Sequence, residues 1–186
     1  KYEETAEGDE KTFATNHLGY FVLTTELLPK LKAQGTPVRI VSVSSGAHLG
    51  GPFKLDDPSL KQGWSSFGSY AQSKLMNVLF TFELAKRLQG TRVTATCMHP
   101  GAVATQFGQS AKGITAFFFG KLGFLLRTPA KGADTIVWLA SSPECEGRTG
   151  EYFQDRKRGR LRKLALDPAA QKGLWELSEK LAAAVP

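Results

Sequence analysis

Val38-Arg39-Ile40-Val41-Ser42-Val43-Ser44-Ser45, closed by Gly46, is a β-branched run of strand length that delivers two hydroxyls to its carboxyl end. About twenty residues on, Phe67 to Leu88 has the apolar spacing of a helix, with Leu75, Val78, Leu79, Phe82, Leu84, Ala85 and Leu88 available for burial. A second strand-like run, 92–98, ends in His99-Pro100-Gly101-Ala102-Val103-Ala104-Thr105, a Pro-Gly break with a hydroxyl four residues beyond Gly101. Strand, helix and strand, with polar groups at the strand ends, is how an open α/β sheet builds a crevice.

The helix between those strands carries Tyr70-Ala71-Gln72-Ser73-Lys74. Residues i and i+4 share one helix face, one turn apart, so a phenol and an ammonium can share one site. Tyrosine ordinarily titrates near pH ~10, too high for acid–base work at neutral pH, and a nearby cation pulls it down. The pair reads as a tuned proton donor and acceptor. Many surface helices contain Tyr-x-x-x-Lys; the two serines at the preceding strand end are what give this one weight.

The rest of the chain fits one domain of the same class. From about Asp9 to Ala33 the pattern predicts one helix, with Phe13, Leu18, Phe21, Val22, Leu27, Leu28 and Leu31 as its apolar stripe, stopped by Gly35 and Pro37. The loop after Gly46 runs about twenty residues through Gly50, Gly51, Pro52, Asp56, Asp57 and Pro58, a length that usually marks function or mobility. Residues 106–126 are rich in glycine and phenylalanine (Phe107, Phe117, Phe118, Phe119, Phe124), which suits either a cover over an apolar substrate or a segment packed on the core. A third helix is expected over Pro129–Ala140 and a short strand over Gly150–Gln154. Asp167-Pro168 then caps a last helix with Leu174, Leu177 and Leu181 on one face. No internal repeat or second domain is visible.

Composition narrows the setting. The 186 residues carry enough apolar content for a core. Cys97 and Cys145 give no disulfide framework, which points to a reducing, cytoplasmic compartment, with a membrane anchor ahead of Lys1 as the alternative. No run approaches the ~20 apolar residues of a membrane span. The net charge is +7, and Arg156, Lys157, Arg158, Arg160, Arg162 and Lys163 supply six of those charges within eight positions. Without aromatic interleaving that run reads as a solvated loop; a weak contact with an anionic membrane surface is the better functional reading, and no nucleic-acid partner is expected. His17, His48 and His99 lack paired ligand spacing, so no metal is expected.

Asn16-His17-Leu18-Gly19, Val41-Ser42-Val43-Ser44-Ser45, Tyr70-Ala71-Gln72-Ser73-Lys74, His99-Pro100-Gly101, Gly150-Glu151-Tyr152-Phe153 and Gly173-Leu174-Trp175-Glu176 together resemble the short-chain dehydrogenase/reductase family, closest to its retinol-dehydrogenase-like branch. The 25-residue interval from Ser45 to Tyr70 is longer than in many members and is similar to that branch. The resemblance implies a Rossmann-like, doubly wound parallel α/β sheet, represented by its carboxyl-terminal part as three strands with flanking helices in one domain, 1–186. It implies hydride transfer between a nicotinamide and a lipophilic carbonyl or alcohol, retinal-like or another aldehyde or ketone. Tyr70 would move the proton. Lys74 would assist it and hold the nicotinamide ribose, Ser45 would bind the substrate oxygen, and Asn16 would steady a water linked to Lys74. Pro100, Gly101, Val103 and Thr105 would line the nicotinamide side.

One departure bears on the cofactor. The family's Gly-x-x-x-Gly-x-Gly turn, which holds the pyrophosphate, does not occur in this chain. The expectation is that the first third of a complete enzyme precedes Lys1, that NADP is the cofactor with NAD as the alternative, and that residues 1–186 alone are inactive and self-associate. Competing readings are a nucleotide-sugar epimerase or dehydratase, which shares Tyr-x-x-x-Lys, and a non-catalytic interaction module, which need bind no dinucleotide.

Overall fold

Both β-branched runs become strands in the computed structural model, which describes residues 1–103 and 127–184. β1 spans Val38–Val43 and β2 Val93–His99, paired in parallel from Val38 against Val93 to Val43 against Met98. Parallel neighbours need a long crossover, and helix α3, Ser66–Arg87, provides it. β3, Glu151–Gln154, adds a third parallel strand beside β2. β4, Lys157–Arg158, folds back antiparallel on β3, so the sheet order is β1-β2-β3-β4, one strand more than the sequence predicts.

β1 ends at Val43, two residues short of the expected boundary. Ser45 turns out of the strand and caps a 3-10 turn, Gly46–Leu49, by accepting the Ala47 N–H at 3.2 Å. The loop beyond is packed rather than loose. The Gln72 side chain accepts from the Lys54 N–H and donates to the Pro58 carbonyl, both at 2.9 Å. Gly51 lies so close to α3 that a Cβ there would sit 2.7–2.9 Å from Ala71 and Gln72 atoms.

The first helical stretch is not the single helix that its periodicity predicts. It consists of α1, Lys11–Phe13, a π-helical turn, Ala14–Leu18, and α2, Gly19–Ala33. The wide turn has a packing consequence. Phe13, His17 and Phe21 recur every four residues, a spacing that drifts off one face at 3.6 residues per turn and is brought back by a wider turn. All three are buried. The apolar stripe is correspondingly narrower than expected: Leu28 and Leu31 are partly buried, while Val22 and Leu27 face outward.

α3 is the central helix. Ser65 caps it through the Gly68 N–H, and every residue from Ala71 to Ala85 is buried. One side packs on Phe13, Leu18, Cys97 and Tyr152; another meets Phe21, Val93, Ala95 and Trp175. Trp175 comes from helix α5, Pro168–Ala182, which Asp167 caps as the sequence predicts. Its indole stacks on Phe80 at 5.7 Å and carries the Arg87 guanidinium 4.3 Å from the ring. Helix α4, Pro129–Ser141, capped by Thr128, covers the other face of the sheet through Trp138 and Leu139.

The basic run is solvated, as expected, but it is not loop throughout. Its first half is the β3–β4 hairpin, whose two turn residues, Asp155 and Arg156, both have φ near +55°. Such a turn favours Asn or Gly, since a left-handed backbone strains other side chains. Ion pairs hold this one in place. Asp155 takes the Arg127 guanidinium, with one arm at 2.9 Å, and Arg156 pairs with Asp134 at 2.9 Å. Arg158 reaches Glu151 at 2.9 Å, and Arg162 donates to the Gly51 carbonyl. Arg156, Lys157, Arg158, Arg160 and Lys163 are all exposed.

Candidate active site

Tyr70 and Lys74 lie in the first turns of α3, beside the carboxyl end of β1. Two hydrogen bonds fix that corner. Ser44, buried, donates its hydroxyl to the Lys74 carbonyl at 2.7 Å, and the Lys74 Nζ donates to the Val43 carbonyl at 3.3 Å. Ser44 thus points into α3, while its neighbour Ser45 points the other way, as alternation along an extended chain requires. Ser45 is half-buried. Its oxygen accepts from Ala47, leaving the hydroxyl proton to be donated.

The Lys74 Nζ lies 5.7 Å from the centroid of the Tyr70 ring. Lys74 is only 8% exposed, and among the described residues no carboxylate pairs with it. Burial accordingly pushes its ammonium below the ordinary lysine value. Asn77, one turn on, donates to the same Val43 carbonyl at 3.3 Å.

Asn16 sits in the π-helical turn and meets the site from the other side. Its amide donates to the Ser73 hydroxyl at 3.1 Å, and Ser73 donates to the Tyr70 carbonyl at 2.8 Å. A cleft of about 330 Å³ opens here, lined by Asn16, Tyr70, Thr12, Thr15, Ser66 and Glu10 among others. Those walls are polar. The Phe-rich segment that would supply a lipophilic wall, and Thr105 with it, lie outside the described residues.

Pro100, Gly101 and Val103 follow β2. Gly101 has φ +83°, a conformation that favours glycine, and a Cβ there would fall 2.5 Å from the Arg127 side chain, which would have to shift to admit it. Val103 packs against Gly132 of α4 and pairs with Arg127 in a parallel bridge. The structure therefore brings Asn16, Ser45, Tyr70 and Lys74 around the end of β1 and puts Pro100 and Gly101 at the end of the neighbouring strand.

Three contributors are invisible to motif reading. Tyr20, one turn after Asn16, places its ring centroid 5.8 Å from the Lys74 Nζ. Glu10, 2% exposed, ties α1 to the start of α3: it accepts from the Phe13 N–H at 2.9 Å and from the Ser69 hydroxyl at 2.6 Å. Burial acts to raise its carboxyl, but those hydrogen bonds outweigh it and hold the group below the usual value. His48 is fully buried and bonded through Nδ1 to the Ser45 carbonyl at 2.7 Å, bracing the turn that carries that serine. Only the i+4 spacing of Tyr20 from Asn16 offered a sequence signal.

Comparisons with known proteins show the family. The family described as short chain dehydrogenase matches residues 2–113. Human retinol dehydrogenase 14 is 42% identical over 181 residues, covering 96% of this chain and 54% of that protein. Mouse retinol dehydrogenase 12 is 37% identical over 180 residues, covering 97% and 56%, and human polyprenol dehydrogenase is 37% identical over 181 residues, covering 94% and 55%. The chain thus spans about half the length of the curated relatives it matches. A crystal structure of an uncharacterised protein from Mycobacterium paratuberculosis superposes with a TM-score of 0.77 at 30% identity, over 98% of this chain and 62% of that one. With its parallel α/β sheet, its strand-end serines and its Tyr-x-x-x-Lys helix, the chain belongs to the short-chain dehydrogenase family, in the retinol-dehydrogenase-like branch.

Proposed function

We propose that this chain carries the proton-transfer half of an NAD(P)-dependent oxidoreductase that interconverts a lipophilic carbonyl compound and its alcohol. The observation that carries the reading is the buried Lys74 ammonium, 5.7 Å from the Tyr70 ring and without a carboxylate partner among the described residues. An ammonium so placed stands beside the phenol and leaves donors for a polyhydroxylated ligand. That the relatives are named retinol and polyprenol dehydrogenases supports an apolar alcohol or aldehyde as substrate.

The fit to a nicotinamide dinucleotide is favourable on the nicotinamide side. Among the described residues Lys74 has a single carbonyl acceptor, at 3.3 Å, which leaves two of its N–H groups to take ribose hydroxyls. Gly101 puts backbone without a side chain of its own beside Pro100 at the next strand end, with the Arg127 side chain lying over it. When bound, the dinucleotide supplies or accepts the hydride, and by family likeness we favour NADP(H). Tyr70 gives its proton to the carbonyl oxygen in reduction and takes it back in oxidation. Ser45 donates to the same oxygen and holds it at the phenol. Asn16 fixes the turn carrying Tyr70 through Ser73 and steadies a water on the Lys74 side; Val103 and Thr105 extend the nicotinamide wall.

Turnover of retinaldehyde with NADPH by the natural protein tests this reading. Tyr70→Phe should lose at least about 10²-fold in kcat with cofactor affinity retained. Near-normal turnover in that variant, or no dinucleotide binding by the natural protein, would reject it, the second result in favour of an interaction module. Among the described residues of the chain 1–186, β1 hydrogen-bonds a strand on one side only, β2, and its other edge is open. An open edge is a template for strand pairing, so we expect this piece to self-associate and to bind dinucleotide poorly. A monodisperse monomer in light scattering would contradict that.

A further inference from the structure

Two aromatic rings face the Lys74 ammonium. One belongs to Tyr70 on the same helix; the other is that of Tyr20, reaching across from α2 to within 5.8 Å. Distances under ~6 Å are those at which a ring's negative face attracts a cation, and the attraction grows as water is excluded. Here most water is excluded, Lys74 being 8% exposed.

We propose that Tyr20 is a positioning residue whose ring, not its hydroxyl, holds the Lys74 ammonium in the site. The inference rests on the reading of Lys74 as the working cation of the active site. The groups that face Lys74 are the Tyr70 ring on α3, the Val43 carbonyl on β1 and the Tyr20 ring on α2. The carbonyl, at 3.3 Å, is a long acceptor already shared with Asn77. With no carboxylate beside it among the described residues, the ammonium leans on the rings. Tyr70 cannot both hold it and turn freely towards a substrate proton, so the second ring fixes the cation independently of the reacting phenol.

The Tyr20 hydroxyl is unsuited to proton transfer. Burial first, and then the neighbouring Tyr70, push it above the ordinary tyrosine value, so it stays neutral where the site works. Placement agrees as well. Asn16 and Tyr20 stand one turn apart on one face; the first engages Ser73 and the second Lys74, adjacent residues of α3. The same helix face thus fixes both the turn that carries the acid and the cation that assists it.

The test reads Lys74 directly. Lysine labelled with carbon-13 at Cε is incorporated, the Lys74 signal is assigned by its loss in Lys74→Arg, and its titration is followed by NMR. Tyr20→Phe should titrate with the wild type. Tyr20→Leu, which keeps bulk but removes the ring, should titrate lower by about one pH unit, and Tyr20→Trp at or above wild type. A Tyr20→Leu midpoint equal to or above wild type would overturn the proposal, as would a Tyr20→Phe midpoint lowered by more than about half a unit. If circular dichroism shows Tyr20→Leu unfolded, the Phe and Trp variants decide by the same criteria. The titration needs no turnover. An inactive protein with this graded response would reject the proposed function and leave the inference standing; an active one without it would do the reverse.

Discussion

α2 and α3 both contribute to the site, yet they are different kinds of helix. α3 is buried on all sides from Ala71 to Ala85, and even its polar residues are engaged inside the protein. α2 buries Phe21 and part of Leu28 and Leu31, while Leu23 is 64% exposed and Val22 and Leu27 also face outward. The sequences do not announce this: both have apolar residues at helical spacing. The difference comes from neighbours. α3 is the crossover between two parallel strands and is covered in addition by α1 and α5, whereas α2 touches the protein along one face only. The residue proposed for proton transfer is therefore anchored in the more deeply buried helix, and the residues proposed to support it project from one with a single dry side.

The largest contrast should be in stability. Leu79→Ala, at a fully buried position of α3, should cost about 2–5 kcal/mol in urea unfolding. Leu23→Ala on α2 should stay within about 0.5 kcal/mol. Equal effects would remove the distinction between the helices.

The second effect is acid sensitivity, and it belongs to the junction between the helices. His17 in the π-helical turn is fully buried against Phe13 and Ser178, and burial lowers its pKa from 6.5 to about 4. The unfolded chain therefore takes up a proton that the folded chain refuses between those values. Stability should be complete above pH 6.5 and fall by about 3 kcal/mol as the pH drops to 4. His48 and His99, also lowered by burial, act with the same sign. His17→Gln should flatten the dependence of the urea midpoint between pH 7.5 and 4.5; an unchanged slope would assign the effect elsewhere.

A smaller effect sharpens the account of how α3 is docked. Ser44→Ala removes the bond to the Lys74 carbonyl and should cost about 1 kcal/mol. Ser45→Ala should cost less in stability, because its hydroxyl caps only a short 3-10 turn, and more in KM for the carbonyl substrate. A reversal of those two outcomes would exchange the roles of the serines.

Much of this organisation was legible because it rests on local chemistry. Asp167-Pro168 marked a helix start, and the β-branched runs at Val38 and Val93 gave strands in their expected places. Tyr70 and Lys74 met because i+4 geometry makes them meet. What stayed hidden depends on distant partners. The π-helical turn at Ala14–Leu18 shows only as a four-residue recurrence that ordinary helices also display. The β3–β4 hairpin lacks the Asn-Gly that would announce it; Asp155-Arg156 takes that shape with Arg127 and Asp134 paired to it from elsewhere in the chain. Tyr20 and Glu10 carry no motif, and their places follow from which helix packs on which.

That hairpin makes the far side of the site answerable to ionic strength. Arg127 crosses over Gly101 while its guanidinium is held by Asp155, both partly exposed, so the backbone beside Pro100 is set by a charge pair that salt can screen. The corner around Tyr70 and Lys74 is built from buried hydrogen bonds and rings, which salt hardly reaches. One strand end should thus hold its shape from dilute buffer to molar salt, while the other loosens along the way.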